Sequence, residues 1–298
     1  MSIVSDIANP QPKPVPDGDA RERRRARLEG MAVTAASSIA AVLIAFAISA
    51  LLLVITGKNP GTVVSVMIDV ATTSRFQFEM VERAVPLIIS AVAFAIAAKM
   101  NLLIIGVEGQ YLTGMFWAAV AGAYVELPGI LQVIFIMTVG MAAGAAWAGI
   151  AGYLKVKLGV SEVISTIMLN AIALQIIDWL FNDFFRYDDG TGSLDVRTKP
   201  IPEQGWTPDW FDGRLNSYIV VALLVVVGYW ILVSKSRLGF RLRASGLNPT
   251  AASTSGIASG RMVMIAMLIS GAVAGLAGLQ YLMGDAHAYG PSRPGGYG

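Results

Sequence analysis

Apolar runs of bilayer length recur along this chain, and they leave few folds open to it. A hydrocarbon core about 30 Å thick takes about 20 consecutive apolar residues of helix to cross. Seven stretches approach that length: Met31 to Thr56, Ala84 to Ile105, Gln110 to Val125, Ile130 to Tyr153, Val160 to Phe181, Ser217 to Val233 and Met262 to Met283. Inside hydrocarbon every backbone N–H and C=O must be paired within the protein, which a helix achieves alone and an open strand does not. The expectation is an all-α fold, a polytopic transmembrane helical bundle of about seven spans over residues 31–298, with residues 1–30 as a basic tail. Composition agrees: 55% of residues are hydrophobic and 14% charged, against roughly 25% charged in an ordinary soluble domain.

Charge sets the orientation. Arg21, Arg23, Arg24, Arg25 and Arg27 stand immediately before the first run, which reads as a cytoplasmic topology signal rather than a nucleic-acid patch. That first run is too long for the apolar core of a secretory signal and is taken as an uncleaved helix. Alternation then puts Lys155, Lys157, Lys235, Arg237, Arg241, Arg243 and Arg261 on the cytoplasmic side, as the positive-inside rule requires. It also puts residues 182–216 outside, an acidic loop with Trp206 and Trp210 that reads as a folded cap. The stretch from Thr62 to Arg83 shows no clean period, and its structure is left open.

Several chemistries are excluded. The chain has no cysteine and one histidine, His287, so disulfides, thiolate chemistry and imidazole-rich metal sites are out. No phosphate-binding G-x-x-x-x-G-K-[ST] loop occurs, since Gly57-Lys58 is followed by Asn59. No catalytic residue, metal ligand or cofactor is expected on this chain. Gly140-Met-Ala-Ala-Gly144 and Gly271-Ala-Val-Ala-Gly275 are small-residue patterns that let helix backbones approach closely in lipid. They read as bundle packing.

Two polar segments stand out. Gly106, Glu108, Gly109 and Gln110 interrupt apolar sequence, and a carboxylate there needs water, a partner or a membrane boundary. The glycines permit a break between helices, and these residues are candidates for a gate or substrate pathway. A short cytoplasmic turn, with Glu108 near a helix N-terminus, accounts for the same pattern. Asn170 and Gln175 are further candidates for hydrogen-bonding a neutral polar solute. The second segment, residues 234–261, is a basic connector between two apolar runs. Within it Asn248-Pro249 is a helix start, because Asn accepts from free backbone N–H groups and Pro suits the first helical position. Thr250 to Ser255 would form a short helix ending at Gly256.

Gly106-Val-Glu-Gly-Gln110, Glu162-Val-Ile-Ser-Thr-Ile-Met-Leu-Asn170 and Gly246-Leu-Asn-Pro-Thr-Ala-Ala-Ser-Thr-Ser-Gly-Ile257 occur in that order. Together they resemble the permease subunits of bacterial ABC importers for nucleosides and simple sugars, a group similar in fold to ribose-type and branched-chain amino-acid permeases. The Gly-Val-Glu-Gly-Gln segment favours the nucleoside branch. The resemblance implies a permease in the bacterial inner membrane that imports a nucleoside or simple sugar by alternating access. It also implies a second permease subunit, two ATPase subunits that hydrolyse ATP, and an extracytoplasmic substrate-binding protein. The coupling helix that meets the ATPase maps to Arg241, Arg243, Gly246, Asn248, Pro249, Ala251, Ala252 and Gly256. Leu103 and Ile104 stand where the family has Phe-Asn, and the family's C-terminal spans are absent from these 298 residues. An ion-gradient-driven carrier or channel is the alternative reading.

Overall fold

The computed structural model describes residues 20–187, 196–211 and 215–290, with side chains described from Ala36 on. The expectations for residues 1–19, the Arg21 to Arg27 side chains and the parts of the acidic loop at residues 188–195 and 212–214 lie outside the described residues. The chain divides into two compact units, Met1–Thr72 and Thr73–Gly298.

In the first unit α1, Ala20–Ile55, begins before the expected start at Met31. Gly57 ends it in the left-handed region at φ 74, with Lys58 N–H closing back on Leu53 O at 2.8 Å. The segment left open by the sequence is helical: α2, Pro60–Thr72, starts on an Asn-Pro pair whose Asn59 Oδ1 accepts from Gly61 N–H at 2.9 Å. No residue of α2 is buried.

The second unit holds α3 (Ser74–Ala98), α4 (Val107–Tyr124), α5 (Ile130–Leu158), α6 (Glu162–Leu180), α7 (Ile219–Lys235), α8 (Arg237–Leu247), α9 (Pro249–Thr254) and α10 (Ser259–Ala277). Helices occupy all seven expected positions. Among the described residues, five helices are long and apolar enough to cross a membrane, and α7 with α8, bent by 70°, makes a sixth if the pair is one span, close to the expected count of about seven. The run expected over Gln110 to Val125 is α4, whose apolar sequence is interrupted by Glu108, Gln110 and Thr113. It is enclosed by its neighbours instead, with 14 of its residues buried.

The two glycine patterns meet each other. An added Cβ on Gly144 would strike Gly271 O, and one on Gly275 would strike Gly140 O, so α5 and α10 cross backbone to backbone. Gly114 of α4 enters the same junction, where a Cβ would stand 2.7 Å from Gly275 Cα and 2.9 Å from Gly140 O. Pro86 inside α3 has no N–H for the Glu82 carbonyl, and Gln280 Nε2 donates to that carbonyl at 3.0 Å in its place. Gln132 is fully buried and closes the C-terminal end of α4, accepting from Leu127 N–H and donating to the Gly122 and Val125 carbonyls at 2.8–2.9 Å.

At the end of the unit opposite the basic residues, α6 runs into a π-helical turn over Phe181–Phe185. The short hairpin of β1 (Asp209–Trp210) and β2 (Leu215–Asn216) follows, paired Asp209 to Asn216 and Trp210 to Leu215. This cap is tied to the chain after α10: Ile201 N–H donates to His287 O at 2.8 Å and Thr207 N–H to Met283 O at 3.0 Å. Trp206 stacks on His287 with ring centroids 3.8 Å apart. His287 is therefore covered on one ring face. Burial holds its pKa below the ordinary histidine value, partly opposed by Asp285 and Asp209.

Candidate functional site

The break between α3 and α4 spans residues 99–106. Its turning residue is Asn101, in the left-handed region at φ 56, a conformation Asn tolerates better than most side chains. The two glycines of the motif have a different use. A Cβ on Gly106 would lie 3.1 Å from Thr166 Cγ2, and one on Gly109 would lie 2.8 Å from Asn170 Oδ1. Their bareness lets the break press against α6.

Two α6 side chains then fasten that contact. Thr166 Oγ1 accepts from Ile105 N–H at 3.2 Å, while Asn170 accepts from Gly109 N–H at 2.8 Å and donates from Nδ2 to Ile105 O at 2.9 Å. These bonds satisfy backbone groups that the interrupted helix leaves open. Asn170 is thus engaged by the break itself. Glu108 lies in the first turn of α4, beside backbone N–H groups that favour a negative charge. Gln110 is buried, and both its Oε1 and the buried Trp147 Nε1 have no hydrogen-bond partner among the described residues. Trp147 Nε1 is adjacent to Gly109, 3.2 Å from where a Cβ would stand. Gln175 is exposed on the outward side of α6 and does not join this group.

Within the connector over residues 234–261 the structure has the expected short helix, α9, and before it a helix that was not expected, α8. Ser236 starts α8: its hydroxyl accepts from Gly239 N–H at 2.9 Å. Gly239 has no room for a Cβ, which would strike Leu232 O, so α8 turns off the end of α7 at close quarters. Arg243 Nη1 donates to Val233 O, one of the carbonyls left unpaired where α7 ends. The sequence hid this helix because Arg237, Arg241, Arg243, Gly239 and Gly246 together look like a basic, glycine-punctuated loop.

The second helix follows the local signals. Asn248 caps α9, its Oδ1 accepting from Ala251 N–H at 3.0 Å, Pro249 opens it, and Gly256 follows its end at φ 79. Ala252 is buried, whereas Asn248, Pro249, Ala251 and Gly256 are exposed. Arg241 is exposed on α8.

The two polar segments touch. Gly246 of α8 packs on the break: a Cβ there would stand 2.8 Å from Met100 Cα. Leu242, one turn earlier, belongs to a buried cluster with Met100, Leu102 and Ile104 of the break, Val107 of α4, Leu169 of α6 and Met262 of α10. Displacing α8 therefore presses on the break and on the α6 face that holds it, because close-packed apolar groups transmit strain rather than absorb it. Thr166 and Leu242 were not singled out by the sequence. Thr166 lies inside the Glu162 to Asn170 motif and four residues from Asn170, and its pairing with Ile105 matches the 61-residue separation of Gly109 and Asn170.

The chain is 32% identical over 254 residues to a nucleoside ABC transporter permease protein of Lactococcus lactis subsp. cremoris, covering 82% of this chain and 69% of that protein. It is 34% identical over 243 residues to a guanosine ABC transporter permease protein of Bacillus subtilis, covering 80% and 69%. To a glucose ABC transporter permease protein of Haloferax volcanii it is 30% identical over 270 residues, covering 86% and 70%. No solved structure matches the chain. Residues 76–289, which include α4, the break, α6 and the α8–α9 segment, match the family described as "Branched-chain amino acid transport system / permease component", and the chain belongs to that family.

Proposed function

We propose that this chain is the membrane-spanning permease subunit of an ABC importer and carries a nucleoside or simple sugar across the bacterial inner membrane by alternating access. ATP is hydrolysed by separate ATPase subunits that dock on α8 and α9. The basic end of the second unit, with Lys155, Lys157 and Arg261, then faces the cytoplasm, as does the N-terminus. A second permease subunit and an extracytoplasmic substrate-binding protein, meeting the cap formed by residues 196–216, complete the transporter.

The observation that carries this reading is the buried cluster in which Leu242 meets Met100, Leu102, Ile104 and Leu169. A partner that moves α9 moves α8, and α8 rests on the one break in the α3–α4 path. The three relatives named for nucleosides, guanosine and glucose support a neutral polar solute as cargo. Buried Gln110 and half-buried Trp147, whose Nε1 is shielded, offer an amide and an indole N–H beside the break, the kinds of group that bind such solutes.

The test is uptake of labelled nucleosides and pentoses into proteoliposomes holding the permease with its ATPase and binding protein. ATP-dependent accumulation is expected. Flux that follows an ion gradient and ignores ATP would overturn the reading in favour of a secondary carrier. Replacing Asn248 to Gly256 with a Gly/Ser linker is expected to abolish ATPase binding, which neither a carrier nor a scaffold requires.

A further inference from the structure

Beside the α7–α8 elbow lies a groove of about 690 Å³, closed on its other side by the link from α9 into α10. Its lining carries Lys235, Arg237, Arg241, Arg243 and Arg261 and no carboxylate. The sequence holds no Asp or Glu anywhere between Asp212 and Asp285. Arg243 is engaged by Val233 O, and Lys235 sits over the Trp230 ring at 5.5 Å from its centroid. Arg237, Arg241 and Arg261 form no ion pair with the described residues. Like charges gathered in one concavity repel one another unless an anion sits among them.

Position narrows the choice of anion. The outward side chains of α7, Leu223, Leu224, Val227, Trp230 and Ile231, are exposed and lead to the groove's edge. Trp230 with Lys235 is the aromatic and basic pairing found where a span leaves hydrocarbon for the headgroup layer. From that edge α8 departs at 70° to α7, carrying exposed Phe240 and Leu247 beside Arg237 and Arg241. Apolar and basic side chains together on a short helix suit a membrane interface. At the far wall Ala258 begins α10 without a side-chain cap, leaving first-turn N–H groups open to an acceptor.

We propose that this groove binds the phosphate headgroup of an anionic phospholipid whose acyl chains lie along α7. The phosphodiester sits among Arg237, Arg241 and Arg261, and the groove's size is that of a small-molecule site. An acidic surface of the ATPase is the competing occupant, because Arg241 also flanks the α8–α9 segment. The lipid requires only that this end of the chain meets a membrane surface, whatever the chain transports.

The test is lipid retention by the full-length chain, measured by native mass spectrometry after purification in detergent and exposure to palmitoyl-oleoyl phosphatidylglycerol or the matching phosphatidylcholine. Preferential retention of phosphatidylglycerol is expected. Arg241→Gln with Arg261→Gln should lower it about tenfold to thirtyfold, as for two cations near an anionic surface. Arg241→Lys with Arg261→Lys should preserve it and show that the fold tolerates change there. Lys157→Gln removes a cation at the same end outside the groove and should leave retention unchanged. Equal retention of the two lipids, or an equal fall in Lys157→Gln, would overturn the proposal. So would displacement of phosphatidylglycerol by an equal concentration of inorganic phosphate, which would make the groove a site for free anions. A double Gln variant that loses ATPase binding yet keeps its phosphatidylglycerol would assign the cations to the partner protein and end the lipid reading.

Discussion

Helices α4 and α7 invert the rule learned from soluble proteins. α7 is the more apolar, a nearly unbroken series of Val, Leu and Ile, yet Ala222 is its only buried residue. α4 carries Glu108, Gln110 and Thr113 with seven Gly or Ala residues, yet 14 of its 18 positions are buried. Lipid is as apolar as leucine, so large aliphatic side chains gain little by leaving it. The closest helix crossings go to residues that bring backbones together, and large side chains such as Tyr111 and Phe116 fill the space around them. Hydropathy in this chain does not mark what is buried, and glycine marks where helix backbones cross.

The sharpest way to break that comparison is to add the same side chain to a glycine in each helix. Gly114→Val in α4 places new carbons against the backbones of Gly275 and Gly140. Overpacking costs about 1–3 kcal/mol, and the cost here belongs at the upper end because backbone cannot step aside as a side chain does. Gly228→Val in α7 meets nothing within 4 Å and should leave stability nearly unchanged. Unfolding of both variants in mixed micelles measures the difference, and equal losses would mean that smallness is not what packs α4.

A smaller effect is expected where α4 is fastened rather than packed. Asn170→Ala removes two of the three bonds that α6 makes here, leaving that of Thr166, and frees the part-buried Gly109 N–H and the more exposed Ile105 O at a cost of about 1 kcal/mol. Asn170→Asp keeps an acceptor for Gly109 and loses the donor to Ile105, so its loss should be intermediate. Transport should fall in the same order. Unchanged stability with a changed solute preference would instead place Asn170 in direct contact with cargo.

The sequence made legible what depends on neighbours along the chain. Every expected span is a helix, and Asn248, Pro249 and Gly256 bounded α9 because capping is settled within one turn. It located the break but attributed it to Gly106 and Gly109, when the turn is made by Asn101 and the glycines serve contacts with Thr166 and Asn170. Such contacts join residues 61 apart, and no local period encodes them. Gln132 and Gln280 were missed for the same reason: each pairs with carbonyls of another helix, and neither differs in sequence from an ordinary interfacial Gln.

Continuing down in size, Asn248→Ala removes the cap of a six-residue helix and should cost about 1 kcal/mol of local helix stability. If α9 must be formed to bind the ATPase, that corresponds to about a fivefold weaker association, measurable by titrating purified ATPase against the permease in detergent. Asn248→Ser retains a capping oxygen and should recover most of the loss. An equal loss in both variants would point to the Asn side chain touching the partner directly.

The smallest effect belongs to α7. Leu224 is 65% exposed, and Leu224→Ala trades contact with lipid for contact with lipid, so stability should change by no more than about 0.5 kcal/mol. If the chain pairs with a second permease subunit as proposed, that association, followed by single-molecule photobleaching in vesicles, should be equally unaffected. A shift toward monomers would show that the outward face of α7 is covered by a second permease subunit, leaving no acyl-chain path along it toward Lys235 and the groove. The exposure of the large aliphatics of α7 would then describe this helix only before assembly, and the contrast with α4 would be one of contacts within a single chain.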